Sequence, residues 1–149
     1  MKNILLVILL VLISMVTLLA HADPLCDRIF VSGLSYHLNR DEQHNEINYG
    51  VGCVHTINED WRATLGTYHN SIYKQTVFIS ASYNAVNITD KLHFVVTGGA
   101  ATGYAYTVIP VIFPELRYDV SKKIDLSIAA IPPTSSVPGV IGLFGTISY

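Results

Sequence analysis

Trp61-Arg62-Ala63-Thr64-Leu65-Gly66-Thr67-Tyr68-His69-Asn70-Ser71-Ile72-Tyr73-Lys74-Gln75-Thr76-Val77-Phe78-Ile79-Ser80-Ala81-Ser82-Tyr83 is the stretch that decides the fold. Trp61, Ala63 and Leu65 alternate with Arg62, Thr64 and Gly66; Val77, Ile79, Ala81 and Tyr83 alternate with Phe78, Ser80, Ser82 and Asn84. A period of two is the signature of a strand with one apolar face, and the polar Asn70–Lys74 segment between the runs makes the whole a β-hairpin. Its tip carries a hydroxyl and an imidazole.

Working outward, the same grammar repeats. Eight runs rich in Val, Ile, Thr, Tyr and Phe are separated by polar, Pro or Gly clusters. They cover Ile29–Leu38, Ile47–Ile57, Trp61–His69, Gln75–Val86, Leu92–Ala101, Val108–Tyr118, Ile124–Ile131 and Gly139–Tyr149. Nine to eleven residues is the length at which a tilted strand crosses a bilayer. Connections after the second, fourth and sixth runs are compact; those after the odd-numbered runs are longer or less regular. The chain is 50% hydrophobic with only 13% charged residues. The expected fold is therefore all-β: an eight-stranded antiparallel up-and-down transmembrane β-barrel. A soluble lipocalin-like lipid binder, also eight-stranded, is the rival, with its apolar face turned inward. On the alternation of the first run, Gly33, Ser35 and His37 face inward, and Phe30, Leu34 and Tyr36 outward.

The start of the chain reads differently. Lys2, the apolar run Ile4–Ala20 and the Ala20-His21-Ala22 site fit a secretory signal peptide. Residues 1–22 are expected to be removed and residues 23–149 to form the barrel domain. The net charge is −2, and loss of Lys2 makes it one unit more negative. No basic patch exists, which speaks against nucleic acid as a partner. Six histidines without paired ligand spacing point to no metal, and no motif points to a cofactor. Cys26 and Cys53 fall in a compartment that permits disulfides. A hairpin turning near Asp41–Glu42, however, places Cys26 opposite about position 58, beyond disulfide reach of Cys53. Tyr36, Tyr49, Tyr73, Tyr83, Tyr104, Tyr106 and Tyr149 read as interface-belt aromatics, with His69 facing outward among them.

Strand counting puts the end of the first run and the start of the 70–74 connection on one rim. His37 and Asn70 face inward by parity, and Ser71 is adjacent. A serine activated by a histidine, with a third side chain orienting the imidazole, is the general arrangement for moving an acyl group. Any His and Ser on a barrel rim will also often be neighbours by chance.

Four features resemble the lipid A palmitoyltransferase (PagP) family. Tyr36-His37 is similar to that family's catalytic histidine in its aromatic context. Asn70-Ser71 stands where the family has Asp-Ser, followed by Ile72-Tyr73-Lys74. Val108-Ile109-Pro110-Val111-Ile112-Phe113-Pro114 resembles its proline-punctuated sixth strand. Ile131-Pro132-Pro133 precedes a final strand ending in an aromatic residue. Together they span residues 30–149.

The resemblance implies an outer-membrane acyltransferase that takes palmitate from a phospholipid and attaches it to lipid A. Its acyl chain would lie in the upper bore, and lipid would enter where Pro110, Pro114 and Pro132 interrupt the wall. By the same carry-over His37 is the general base, Ser71 the essential hydroxyl and Asn70 the third member. The expected partners are a phospholipid acyl donor, a lipid A acceptor and the outer membrane, with the chain acting as a monomer. Two departures stand out. Only residues 23–28 precede the first strand, leaving no room for the family's amphipathic helix. Asn70 replaces an aspartate, and an amide cannot stabilise imidazolium by charge. In serine-hydrolase triads that exchange costs about 10⁴ in turnover. Asp41, Glu42 or Glu46 could supply the missing carboxylate. Without one, a non-catalytic barrel of the same ancestry is the alternative.

Overall fold

A computed structural model describes residues 25–39, 43–104, 107–133 and 139–149. Eight strands follow one another along the chain: β1 (Arg28–His37), β2 (Ile47–Thr56), β3 (Trp61–His69), β4 (Gln75–Asn87), β5 (Leu92–Ala101), β6 (Ile109–Asp119), β7 (Ile124–Ile131) and β8 (Val140–Ser148). Each pairs antiparallel with the next, and β8 pairs back on β1, from Arg28↔Ser148 to His37↔Val140. Closure leaves no free sheet edge, which is what permits strands to face lipid.

The alternation decides what faces where. Leu65, Val77, Ile79, Leu126, Ile128, Leu143 and Ile147 all point outward and are exposed. The interior is largely polar: Thr64, Thr76, Ser82, Thr97, Glu115, Arg117, Asp125, Ser127 and Thr146 are buried, against four buried apolar residues among those described. A soluble barrel of the lipocalin kind has the reverse arrangement. This one is built for an apolar solvent.

Two details correct the sequence reading. The β1–β2 and β1–β8 registers both slip between Ser32 and Leu34. That bulge adds one residue to the strand and inverts the parity across it. Phe30 therefore points inward, against Phe78 and Phe144 at ring separations of 5.3 and 5.5 Å. His37, beyond the bulge, is inward as expected. Gly66 makes room for this aromatic layer: a Cβ there would lie 2.7 Å from the Phe78 ring.

The second correction is the disulfide joining Cys26 to Cys53, with Cα atoms 5.3 Å apart. The strand register alone sets Cys26 opposite Thr56. Cys26 lies before β1, however, where the chain leaves strand geometry and folds back beside β2. Asp27 fixes that bend: its carboxylate accepts from Thr56 N at 2.7 Å, and its own N–H donates to Val54 O at 3.0 Å. Partial burial raises the Asp27 pKa, but the bonds from Thr56 outweigh it and the net shift is downward.

The short turns, 57–60, 88–91 and 120–123, share one rim with Cys26, the start of β1 and the end of β8. The connections 38–46, 70–74, 102–108 and 132–139 share the other.

Candidate functional site at the loop rim

At the loop rim the sequence-selected residues lie on either side of the 44–46 segment, which contacts each of them. His37, the last residue of β1, is 2% exposed and stacks on His44, with ring centroids 4.1 Å apart and planes 16° from parallel. Its backbone N–H donates to Glu46 Oε1 at 3.4 Å. Glu46 is thus a carboxylate beside the histidine; Asp41 and Glu42 lie outside the described residues.

Asn70 is fully buried, and its side chain uses its whole hydrogen-bonding capacity locally. Nδ2 donates to Thr76 Oγ1 at 3.0 Å and to Gly103 O at 2.9 Å. Oδ1 accepts from Ile72 N at 3.1 Å and Lys74 N at 2.9 Å. The amide therefore braces two loops, 70–74 and 102–108, against β4. Gly103 is the residue that lets the second loop close this tightly, at φ 81° and with no space for a Cβ beside Gln75 O.

Ser71 is half-buried, and its carbonyl accepts from Asn45 N at 2.8 Å. The segment His44–Glu46 therefore links the expected site residues: His44 and Glu46 contact His37, and Asn45 contacts Ser71 and, through Nδ2, Asn70 O at 3.1 Å. Asn45 and Asn48 were not singled out from the sequence. Asn48 donates to Asn45 O and to His69 O at 3.3 and 3.0 Å. Their signal was two amides three apart at the entrance to an apolar strand, with Asn48 on the inward parity.

Tyr104 corrects another expectation. It lies inside the rim, its hydroxyl 2.8 Å from that of Tyr68, and not in the outer belt. Burial pushes its phenol pKa upward, with the Tyr68 hydroxyl adding to the shift. Tyr106 lies outside the described residues. His69 does face outward, stacked on Tyr49 at 5.3 Å.

The opposite end of the bore holds charge. Asp125, 1% exposed, accepts on one oxygen from Arg28 at 2.8 Å, Arg62 at 2.9 Å and Thr146 at 2.9 Å. Next to it Arg117 pairs with Glu115 at 2.5 Å, and Thr97 and Ser82 extend the chain of bonds across the interior. Arg62, Glu115, Arg117 and Asp125 lie on the inward faces of β3, β6 and β7, and Arg28 at the start of β1 joins them. Among the described residues no three His, Cys, Asp or Glu side chains converge as metal ligands would.

The wall itself is uneven. β5 pairs along β6 from Ile109 to Tyr118, but β7 pairs only with Glu115–Asp119. Among the described residues, 109–114 are thus paired with β5 only. A proline fits a paired strand only where its nitrogen faces away from the partner. With β5 fully paired, the nitrogens of Pro110 and Pro114 face the β7 side, where β6–β7 pairing stops at Glu115↔Ala129.

The described barrel is similar to solved structures of one kind. A de novo designed transmembrane barrel, TMB2.3, matches with TM-score 0.61 at 17% identity, over 81% of this chain and 91% of that one. The fold is that of a transmembrane β-barrel. A second structure, from work on the de novo design of transmembrane β-barrels, matches with TM-score 0.60 at 14% identity, over 86% of this chain and all of that one. The N-terminal β-barrel domain of Pseudomonas aeruginosa OprF matches with TM-score 0.54 at 13% identity, over 83% and 98%. No protein-family model and no curated protein matches the sequence.

Proposed function

We propose that this chain is an exported outer-membrane barrel that acts on lipid, moving an acyl chain from a phospholipid to lipid A or a similar glycolipid. The observation that supports this reading best is the β6–β7 seam. Residues 109–114 lack a β7 partner in the half of the wall nearest the loops. An acyl chain crossing that seam from the leaflet would enter the bore beneath the loop cluster, where His37 is buried. The layer of Phe30, Phe78 and Phe144 limits how deep it could reach.

In this reading His37 takes the proton of the attacking hydroxyl as the donor's acyl ester breaks and returns it to the leaving glycerol oxygen, Ser71 supplies the hydroxyl the transfer needs, and Glu46 lies beside the His37 backbone N–H. Asn70 acts by holding the 70–74 loop in place. The test is transfer of a radiolabelled acyl chain between lipids by purified, refolded protein. His37→Ala and Ser71→Ala should each reduce transfer by at least about 10² while heat-modifiable gel mobility still reports a folded barrel. Transfer undiminished in both variants would remove the assigned site.

One observation favours a second reading, a non-catalytic barrel of the same ancestry. All four hydrogen-bonding positions of the Asn70 amide are occupied by loop and β4 groups, leaving none to orient an imidazole. Lipid A mass spectra that are identical with and without expression of the protein would decide for it.

A further inference from the structure

On the outer side of the same rim, His69 is held in a way that the acyl-transfer reading does not use. Its ring stacks on Tyr49 (5.3 Å, 23°) and meets the ring of Tyr73 edge-on (6.2 Å, 70°). Asn45 Nδ2 lies 3.1 Å from His69 Nδ1. The orientation of the Asn45 amide is not free: its Oδ1 accepts from Ile47 N at 3.2 Å, and Nδ2 also donates to Asn70 O at 3.1 Å. Nδ2 is therefore a donor toward the ring, Nδ1 must accept, and the ring proton resides on Nε2. Among the described residues no protein group takes up Nε2.

A second, independent feature concerns Tyr73. It has φ 61°, the one non-glycine residue at positive φ among the described residues. A bulky side chain adopts that conformation only under constraint. The constraint is visible: Asn70 O accepts from Tyr73 N at 3.1 Å, and Asn70 Oδ1 pins the amides on either side. What the strained turn delivers is the Tyr73 ring beside His69. Tyr49 and Tyr73 are both well exposed, and Lys74 in the same turn is exposed as well. Below them on the outer wall are Val51, Leu65 and Val77, the top of the apolar belt.

We infer that Tyr49, His69 and Tyr73 form an outward binding site for the phosphate of a membrane lipid headgroup in the loop-side leaflet. The fixed Nε2–H donates to a phosphate oxygen, the two tyrosine rings hold the imidazole against the wall, and Lys74 supplies positive charge. An N–H donor at the junction of apolar belt and polar rim meets lipid where its phosphate lies. The site does not depend on acyl transfer and stands or falls separately.

The test uses the whole refolded barrel, labelled with ¹⁵N-histidine, in dodecyl maltoside micelles. Dihexanoyl phosphatidylglycerol is the probe, with dihexanoylglycerol and inorganic phosphate as the two comparison arms. Before addition, the His69 ring should show a protonated Nε2 and an unprotonated Nδ1. The phosphatidylglycerol should move the Nε2 resonance saturably; the other two should leave it in place. His69→Phe keeps the ring stack and should weaken binding about ten-fold, the loss expected for one charge-assisted hydrogen bond. Tyr73→Gly relieves the strained φ and should also weaken it while gel mobility reports an intact barrel. An unmoved Nε2 resonance, an equal response to free phosphate or to dihexanoylglycerol, or full-strength binding by both variants would each overturn the proposal.

Discussion

At the scale of single residues, Asn70 carries the sharpest lesson. Its neighbourhood in sequence suggested one partner in a proton relay. Its neighbourhood in space consists of two amide N–H groups, a hydroxyl and a carbonyl, all satisfied. Position on the rim and inward direction were legible, because they follow from strand parity. Which groups an amide would meet was not: Ile72, Lys74 and Thr76 reach it only once the turn after β3 has closed, and Gly103 O comes from a loop thirty-three residues away. The same geometry makes a prediction about Asn70→Asp. A carboxylate keeps the two acceptor contacts but loses both donors and points an oxygen at Gly103 O. Stability in chemical denaturation should fall by about 1–3 kcal/mol, and acyl transfer should not rise. A gain in transfer without loss of stability would show that the residue serves the imidazole.

At the scale of elements, the pairing of β1 with β2 exposes what counting cannot see. The limits of β3, β5 and β7 agree with the sequence reading residue for residue, since each is bounded by strong polar or proline signals. β1 contains a bulge beside Gly33, and a one-residue insertion in one strand leaves no mark in a single sequence. The estimate that set Cys26 out of reach extended strand geometry into a segment that is not strand. With the pairing formed, the bridge closes a loop of sequence separation 27. By chain-entropy reckoning that contributes about 3.5 kcal/mol. Cys26→Ala/Cys53→Ala should lower the denaturation midpoint accordingly, with the barrel still forming. The wild-type protein under reductant should match the double variant. A midpoint that responds to neither would show the bridge to be energetically idle.

At the scale of the whole molecule, the inverted distribution of polarity sets the terms. Apolar surface faces out, so its burial is accomplished by lipid, and the interior must be held by polar contacts. The cluster around Asp125 is where this matters most. One carboxylate oxygen holds two guanidinium groups from β1 and β3 and a hydroxyl from β8, so four strands converge on it. Removing the charge leaves the part-buried Arg28 and Arg62 without their anion. Asp125→Asn should therefore cost about 3–5 kcal/mol, read as a lower urea midpoint in vesicles. Asp125→Asn paired with Arg62→Met should recover part of it. A single variant as stable as the parent would mean that water already screens these charges. Arg62 was legible as a member of this face because it alternates with Trp61 and Ala63 in sequence. Its convergence with Arg28 and Asp125 required the closed ring, which brings β1, β3 and β7 across a narrow lumen.

The join between the first and last strands of that ring is no weaker than its neighbours. β8 meets β1 with the same antiparallel pairing that joins every other neighbour, and Tyr149 rests its hydroxyl on the carbonyl of Cys26. The order in which the staves are spelled out is thus an accident of where translation starts. A gene rewritten to open in the 102–108 connection, with the old ends spliced by a short linker, still encodes the same cylinder.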